Sequence, residues 1–170
     1  MADEIGFGVL GLGMGKGHCR SVTEATGAKL VAACETDAER LGPIVEQYGC
    51  KGYTDYDEML QDDSIQVINV TCESGKHAEM AIRAAEAGKH IILEKPADIT
   101  TDKIDKLIAT VRDCKVKVGC IFQARTDDLN LAIKKAIDTK RIGNLIGLHG
   151  HLPWFRAQSY YEGPHGSWKG

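Results

Sequence analysis

Hydrophobic residues along this chain occur in two alternating patterns. Short runs that are apolar at nearly every position are typical of parallel strands covered on both faces. Between them lie longer stretches with apolar residues at helical spacing, most clearly over 74–88, where Ala81 and Ala85 share one face. The runs predict strands at 5–10, 29–35, 65–71, 90–94 and 115–122, and the spaced patterns predict helices at 16–26, 36–49, 74–88 and 100–114.

This alternation predicts an α/β fold with a doubly wound, mostly parallel Rossmann sheet over residues 1–122. The pattern then changes, so residues 123–170 are expected to begin a second, α+β domain. That part is predicted to hold a helix at 127–143 and a long strand at 144–155, which glycine interrupts, followed by an aromatic, glycine-rich tail.

Polar residues and glycine stand where the predicted helices should begin and end. Ser, Thr and Asp side chains accept hydrogen bonds from the free N–H groups of a first turn, and glycine adopts the left-handed conformation that ends a helix. The predicted capping residues are Ser74 and Gly88 for the 74–88 helix, Thr100 or Thr101 for the next helix, and Asp55 for a brief helix before residue 65.

The composition narrows the class of protein. With 170 residues, 43% of them hydrophobic, the chain can bury the core of one domain and part of another. The net charge of -3 gives no basic excess for nucleic-acid binding, and no apolar run approaches the roughly 18 residues of a membrane span. The six cysteines show no Cys-x-x-Cys pair and no metal-ligand spacing, so reduced thiols, several of them buried, are expected in a cytoplasmic protein without a metal site.

The sequence VLGLGMGKGH is the first candidate for chemistry. It places Gly11, Gly13 and Gly15 between the first predicted strand and a helix, where bare backbone can approach a phosphate at the helix N-terminus. The usual Gly-x-Gly-x-x-Gly spacing fails, because its third position is Lys16. We interpret the turn as tightened, with Gly15 making the close helix–strand contact, Met14 beside the cofactor, and Lys16 pointing towards the phosphates or into solvent.

An acidic residue follows at the distance that a dinucleotide site requires. Glu35 ends the second predicted strand, 24 residues after Gly11, where it can accept hydrogen bonds from the adenosine ribose. A carboxylate there repels a 2′-phosphate and the neighbouring Thr36 offers no cation, so NAD is favoured over NADP. The simpler alternative is a glycine hairpin turn with Glu35 solvated.

Glu94, Lys95 and Pro96 form the second candidate site. They stand at the carboxyl end of the predicted strand at 90–94, which is the edge of an open α/β sheet where ligands bind. Taken alone, these three residues are more readily explained as a salt-bridged strand end before a turn.

Together these stretches resemble one family of oxidoreductases. The turn GLGMGKGH, the run HAEMAIRAAEAGKHIILEKP from His77 to Pro96, and the later RIGNLIG are similar to the glucose–fructose oxidoreductase/inositol dehydrogenase (Gfo/Idh/MocA) family. Its members are sugar and polyol oxidoreductases that use NAD or NADP. The resemblance spans nearly the whole chain and implies hydride transfer between a secondary hydroxyl and nicotinamide.

The resemblance also implies roles for residues near the nicotinamide. Lys95 would be catalytic, contacting the reacting hydroxyl and aiding proton transfer, because an ammonium can hydrogen-bond an alkoxide and partial burial favours the neutral amine. Lys95 and Glu94 would both contact the cofactor, Glu94 near the nicotinamide ribose, and Pro96 would follow a cis peptide bond. His77 would lie beside the cofactor, although a ring satisfied by backbone at a helix start is an equal alternative.

The loop before that helix departs from the family. Where members usually have Thr-Pro, this chain has Cys72 and Glu73, or one extra residue when it is aligned on Thr71. All three residues are expected to line the cofactor site. An acid at Glu73 is expected to affect cofactor geometry or substrate choice, unless it is simply a solvated loop residue.

Residues 150–170 resemble the opening of the family's substrate and oligomerisation domain, a strand followed by W-x-R and an aromatic loop. Aromatic rings and an arginine suit a polyhydroxylated or carboxylated substrate, the alternative being that they pack within a second domain. The residues that match are Trp154, Arg156, Tyr160, Tyr161 and Trp168, and two further positions expected to face the cleft are Gln123 and Arg125.

Family members continue with an Asp-x-x-x-His on a helix, whose histidine is the proposed general base. No such motif occurs in this sequence, so a truncated chain is expected, one that binds NAD weakly and catalyses little. The resemblance further implies a sugar or polyol substrate and a homo-oligomer for the full-length protein. The alternative is a non-catalytic nucleotide-binding sensor or scaffold with the same fold.

Overall fold

The computed structural model describes residues 4–162. Its strands are β1 (Ile5–Leu10), β2 (Ala28–Cys34), β3 (Lys51–Tyr53), β4 (Val67–Val70), β5 (His90–Leu93) and β6 (Val118–Cys120). They form one sheet in the order β3-β2-β1-β4-β5-β6, and every pairing is parallel. This order reverses between β1 and β4, which confirms the predicted doubly wound Rossmann sheet.

Different helices cover the two faces of this sheet. The α-helices of the described residues are α1 (Gly15–Glu24), α2 (Ala38–Tyr48), α3 (Tyr56–Leu60), α4 (His77–Glu86), α5 (Thr101–Asp113) and α6 (Asp128–Asp138). Successive residues of a strand point to opposite faces. Val9 therefore packs in a core cluster with α1 and α2, whereas Leu10 packs in another with α3, α4 and α5. No described helix is long and apolar enough to cross a membrane.

The structure confirms some of the predicted helix-capping residues. Asp55 accepts a hydrogen bond from the Asp57 N–H and caps α3 as predicted. Gly88 has a φ of 74° and its N–H reaches the Ala85 carbonyl, so it ends α4 as predicted. Thr100 occupies the N-cap position of α5, but its side chain makes no capping hydrogen bond.

Ser74 as the N-cap of α4 is a wrong prediction. Residues Ser74–Lys76 form a separate 3₁₀ turn, and α4 begins only at His77. The Ala78 N–H is instead bound by Asp98, which lies 20 residues further along the chain and whose side chain is fully buried. A carboxylate from another segment thus takes the place of the local cap.

The chain divides into two units, Met1–Ile121 and Phe122–Gly170. In the second unit, α6 ends at Asp138 and not near 143, because Lys140 and Gly143 adopt φ values of 54° and 76° that turn the chain. The predicted strand at 144–155 is wrong, since these residues have no strand hydrogen bonding. A strand requires a partner, and none of the described residues of this unit supplies one.

Asp62 joins the segment before β4 to β3. Its carboxylate accepts hydrogen bonds from the Lys51 ammonium at 2.7 Å, the Tyr53 hydroxyl at 3.0 Å and the Ser64 N–H at 3.0 Å. The Lys51 hydrogen bond and then those from Ser64 hold the pKa of Asp62 well below its ordinary value. Asp62 therefore stabilises the folded state in its charged form.

Asp62→Asn is expected to lower the free energy of unfolding by about 2 kcal/mol at neutral pH, since it removes charge-assisted hydrogen bonds. Because the folded pKa lies below the unfolded one, the wild-type advantage should be complete above about pH 4 and shrink as the pH falls further. Urea denaturation at several pH values measures this. Asp63→Asn, at an exposed neighbouring residue, is the matched control, and an equal loss in both variants would contradict the assignment.

Candidate functional site

The glycine turn lies at the carboxyl end of β1, beside the residues that follow β4. Gly11 has a φ of 86°, and a Cβ there would lie 2.9 Å from the Cys72 Cα. Its N–H donates to the Cys34 carbonyl at 2.9 Å. Position 11 therefore requires glycine, because the backbone there is left-handed and because it comes too close to the loop after β4 for a side chain.

Gly15 and Gly13 have opposite surroundings. A Cβ on Gly15 would lie 2.6 Å from Thr71 Oγ1 and 2.9 Å from Val9 Cγ1, so Gly15 makes the close helix–strand contact that the tightened turn predicts. A Cβ on Gly13 would meet only the end of the Arg40 side chain, at 4.0 Å. Gly13 is thus the glycine of the turn that faces open space.

The N-terminus of α1 is free of competing anions. Met14 precedes the helix without a side-chain capping bond, and the first turn contains no acidic residue. Met14 is 61% exposed, and Lys16 is exposed as well. The Gly17 N–H already donates to the Met14 carbonyl at 3.0 Å. The N–H groups of Gly15 and Lys16 are available to an anion, as a pyrophosphate site requires.

Glu35 lies directly under the glycine turn. Its Oε2 accepts a hydrogen bond from the Leu12 N–H at 2.9 Å, and its Oε1 lies 3.2 Å from the Thr36 hydroxyl. The side chain is 10% exposed, and Arg40 Nη1 lies 3.7 Å from Oε2. The Glu35 carboxylate is thus held in a fixed orientation next to the open Gly13. The sequence analysis did not identify Arg40 as the cation beside it.

These features fit a dinucleotide. An open glycine backbone, an uncapped helix N-terminus and an oriented carboxylate at the end of β2 are the three elements that hold the pyrophosphate and the adenosine ribose. Gly13, α1 and Glu35 would supply them here. The alternative of a glycine hairpin turn does not apply, because β1 and β2 are parallel and joined through α1.

Three residues of the loop after β4 were expected to line the cofactor site. The Thr71 hydroxyl lies within 2.8 Å of the Leu10 carbonyl and 2.7 Å of the Gly11 carbonyl, so it holds the glycine turn. Burial raises the pKa of the Cys72 thiol to about 12, which leaves it neutral. Glu73 is exposed and pairs with Lys76 at 3.3 Å, as a solvated loop residue does.

Both ring nitrogens of His77 contact backbone carbonyl groups of the protein. Its Nδ1 lies 2.6 Å from the Pro96 carbonyl oxygen and its Nε2 lies 3.0 Å from the Cys72 carbonyl oxygen. The residue is 2% exposed. The ring therefore joins the loop after β4 to the Glu94–Pro96 turn, as expected for a histidine satisfied by backbone at a helix start, and its place beside the cofactor stays a prediction.

The Glu94–Pro96 turn follows β5, at the same edge of the sheet. The Lys95–Pro96 peptide bond is cis, as predicted. Glu94 Oε2 accepts a hydrogen bond from the Lys95 N–H at 2.9 Å. Lys95 is exposed. The described residues therefore do not give its ammonium the partial burial that was expected to aid proton transfer.

His18 and Asn69 orient Glu94, and the sequence analysis assigned neither a role. Asn69 Nδ2 donates to His18 Nδ1 at 3.2 Å, which leaves the proton on Nε2 to be donated to Glu94 Oε1, also at 3.2 Å. Asn69 is 3% exposed, and its Oδ1 has no hydrogen-bond partner among the described residues. With Ser21, these three side chains form the polar part of a pocket of about 380 Å³ whose other walls include Phe7 and Ile92.

The predicted substrate residues belong to the second unit. Gln123 and Arg125 lie in a short 3₁₀ turn, where the Arg125 guanidinium stands 5.0 Å from the Phe122 ring. The Arg156 guanidinium stacks on Trp154 at 3.8 Å and reaches Tyr160 at 5.0 Å. Their contacts with substrate remain a prediction, and Trp168 lies outside the described residues.

The six cysteines are all free, and three of them are buried, as expected. In the stretch from residue 4 to residue 162, no group of three or more His, Cys, Asp and Glu side chains could hold a metal ion.

Comparison with known proteins gives a consistent result. Residues 5–122 match the family described as "Oxidoreductase family, NAD-binding Rossmann fold" (GFO_IDH_MocA). The inositol 2-dehydrogenase of Salmonella typhimurium is 30% identical over 167 residues, covering 91% of this chain and 50% of that protein. The inositol 2-dehydrogenase of Rhizobium meliloti is 34% identical over 140 residues, covering 82% of this chain and 42% of that protein.

A solved structure shows the same fold. The scyllo-inositol dehydrogenase of Lactobacillus casei, determined with bound cofactor NAD(H) and scyllo-inositol, is 29% identical with a TM-score of 0.79. The match covers 84% of this chain and 43% of that one. The chain thus spans about half the length of the relatives that it matches.

Proposed function

Since the chain belongs to the Gfo/Idh/MocA oxidoreductase family, whose NAD-binding Rossmann domain it carries over residues 5–122, we propose that the protein transfers hydride between a secondary hydroxyl of a sugar or polyol and NAD. The observation that carries this proposal is the open glycine turn, with Gly13 facing free space and Glu35 oriented beneath it. The inositol dehydrogenases among its relatives support a cyclic polyol as substrate.

Within this function each residue has a task. Gly13 and the N–H groups of α1 bind the pyrophosphate, and Glu35 accepts hydrogen bonds from the adenosine ribose. Glu94, oriented by His18, lies near the nicotinamide ribose. When bound, NAD accepts the hydride from the carbon that carries the substrate hydroxyl.

Lys95 is the catalytic residue of this proposal. Its exposed ammonium follows a carboxylate and precedes a cis peptide bond at the ligand-binding edge of the sheet. An ammonium there would hydrogen-bond the substrate oxygen and stabilise the negative charge that develops on it as the hydroxyl proton passes to a general base and the hydride leaves. Thr71, Cys72 and His77 act indirectly, by fixing the loop after β4 against the glycine turn and against Pro96.

The wider biology is part of the same proposal. Six free cysteines suit a reducing compartment, which supports a cytoplasmic protein. Gln123, Arg125, Trp154 and Arg156 contact the substrate, and the protein assembles as a homo-oligomer. The Phe122–Gly170 unit is then the part of the chain that belongs to the substrate and oligomerisation domain.

Lys95→Met is expected to lower kcat by roughly 100- to 10,000-fold, because it removes the ammonium that stabilises the negative charge on the reacting oxygen. The dissociation constant of NADH should stay within about threefold, since the adenosine site is untouched. The measurement is NADH formation from inositols and sugars, with the product of the complete gene as the enzyme. Lys76→Met, at another exposed lysine of the same unit, is the control.

The competing function is a nucleotide-binding sensor or scaffold. A protein that binds NADH but oxidises none of the polyols or sugars would support it and would contradict the proposed dehydrogenase. Unchanged turnover in Lys95→Met would leave the dehydrogenase intact but would contradict the role of Lys95.

A further inference from the structure

Asn69 is a polar residue in a largely apolar part of the sheet. It lies in β4, is 3% exposed, and shares its pocket with the apolar side chains of Phe7, Ile92 and Ile121. Among the described residues its Oδ1 has no hydrogen-bond partner. A buried amide oxygen without a partner destabilises a fold, so an apolar residue of similar size would suit this position better. Stability alone therefore does not account for Asn69.

The contact that Asn69 does make is with the ring of His18 on α1. Its Nδ2 lies 3.2 Å from His18 Nδ1, and a neutral imidazole has one donor nitrogen and one acceptor nitrogen. Because the amide donates to Nδ1, the ring proton is on Nε2, the nitrogen that lies 3.2 Å from Glu94 Oε1. Asn69 thus selects the tautomer of His18 that can donate to Glu94.

Glu94 transmits this constraint to the next residue. The side chains of His18 and Glu94 are each only 13% exposed, so the carboxylate depends on donors from the protein. Its Oε1 accepts from the His18 ring, and its Oε2 accepts from the Lys95 N–H at 2.9 Å. With one donor on each oxygen, the carboxylate cannot rotate freely, and it holds the backbone of Lys95 in one place.

We infer that Asn69 and His18 are positioning residues for Lys95, on which they act through Glu94. This inference rests on the proposed function, in which the Lys95 ammonium stabilises the reacting oxygen. Its physical basis is that a misplacement of about 1 Å in a reacting group can cost roughly 100-fold in rate. The alternative is that these side chains only join α1 to the sheet.

The first test compares two replacements of His18 in the product of the complete gene. His18→Leu removes both ring nitrogens and is expected to lower kcat by roughly 10- to 100-fold. His18→Gln keeps an N–H donor that can reach Glu94 and should retain most of the wild-type kcat. The dissociation constant of ADP, a probe of the adenosine and pyrophosphate site, should stay within about threefold in both variants.

A double-mutant cycle shows whether His18 acts through Lys95. In a Lys95→Met background, His18→Leu should lower kcat by less than about twofold, because the group that it positions is already absent. A contact that only joins α1 to the sheet would give the same loss in both backgrounds.

Asn69→Leu separates positioning from stability. It should lower kcat as His18→Leu does, whereas its melting temperature should equal or exceed that of the wild type, because the unpartnered oxygen is removed. An asparagine with a structural role alone would give the reverse, a lower melting temperature with an unchanged kcat.

The Lys95 amide gives a readout that does not depend on turnover. Its exchange with water, measured by NMR on this chain, should be at least about tenfold faster in His18→Leu and Asn69→Leu than in the wild type. His18→Gln should leave the exchange unchanged. Arg20→Gln removes an exposed arginine that pairs with Glu24 at 3.9 Å on the same helix, and this control should alter neither exchange nor kcat.

The outcomes separate this inference from the proposed function. A complete protein that oxidises no polyol or sugar overturns the dehydrogenase, and the exchange of the Lys95 amide then decides the inference by itself. Unchanged exchange in His18→Leu overturns the inference whatever the activity, as does an equal loss of kcat with and without Lys95. The inference stands when His18→Leu changes both exchange and kcat, His18→Gln restores both, and Lys95→Met removes the effect on kcat.

Discussion

Gly13→Val is expected to abolish NADH binding, with a loss of roughly 100-fold or more, equivalent to about 2.7 kcal/mol. Gly13 is the glycine of the turn whose missing Cβ faces open space, with only the end of Arg40 at 4.0 Å. A valine there would occupy the volume through which the pyrophosphate must pass at van der Waals distance. Because the end of Arg40 is the one described group that approaches this space, the melting temperature should change little.

The measurement is a fluorescence titration of NADH together with a thermal melt. Gly17→Ala is the control, since Gly17 lies in the first turn of α1 and no described atom lies within 4 Å of its missing Cβ. It should bind NADH like the wild type. If Gly13→Val retains NADH affinity within a few-fold, the cofactor does not cross this turn.

Gly15→Ala is expected to lower the free energy of unfolding by about 2 kcal/mol. The new methyl group would meet Thr71 Oγ1 at 2.6 Å and Val9 Cγ1 at 2.9 Å. Neither atom can move easily, because the Thr71 hydroxyl is hydrogen-bonded to two carbonyls of the glycine turn and Val9 is completely buried. The helix would have to move away from the sheet.

The same Gly17→Ala variant is expected to change the free energy of unfolding in the opposite direction. With open space around it and a better helix former than glycine, it should stabilise the protein by roughly 0.5 to 1 kcal/mol. Urea denaturation of the two variants measures the difference, with equal m-values as the check on two-state behaviour. Equal stabilities for Gly15→Ala and Gly17→Ala would contradict the close helix–strand contact.

Local patterns in the sequence were sufficient for the architecture and for the glycine turn. The parallel strands are recognisable as continuous apolar runs. The order of a strand, a glycine turn, a helix and an acid at the end of the next strand is typical of a dinucleotide site. The runs predicted at 65–71 and 115–122 were longer than the strands, β4 (Val67–Val70) and β6 (Val118–Cys120). Before β6 the chain turns at Lys115, whose φ is 56°.

The contacts that the sequence analysis missed join residues far apart in the chain. His18 meets Asn69 and Glu94 across 51 and 76 residues, and Asp98 caps α4 across 20 residues. Arg40 reaches Glu35 from the first turns of α2, five positions along the sequence, but only the fold turns both towards Gly13. Such pairings depend on the sheet order, and periodicity along one segment does not encode them.

The most direct test of the central claim is the crystal structure of this chain in complex with NADH. We expect the pyrophosphate over Gly13 at the N-terminus of α1 and the adenosine ribose hydroxyls within hydrogen-bonding distance of the Glu35 carboxylate. A cofactor bound elsewhere, or one whose ribose lies away from Glu35, would contradict the account.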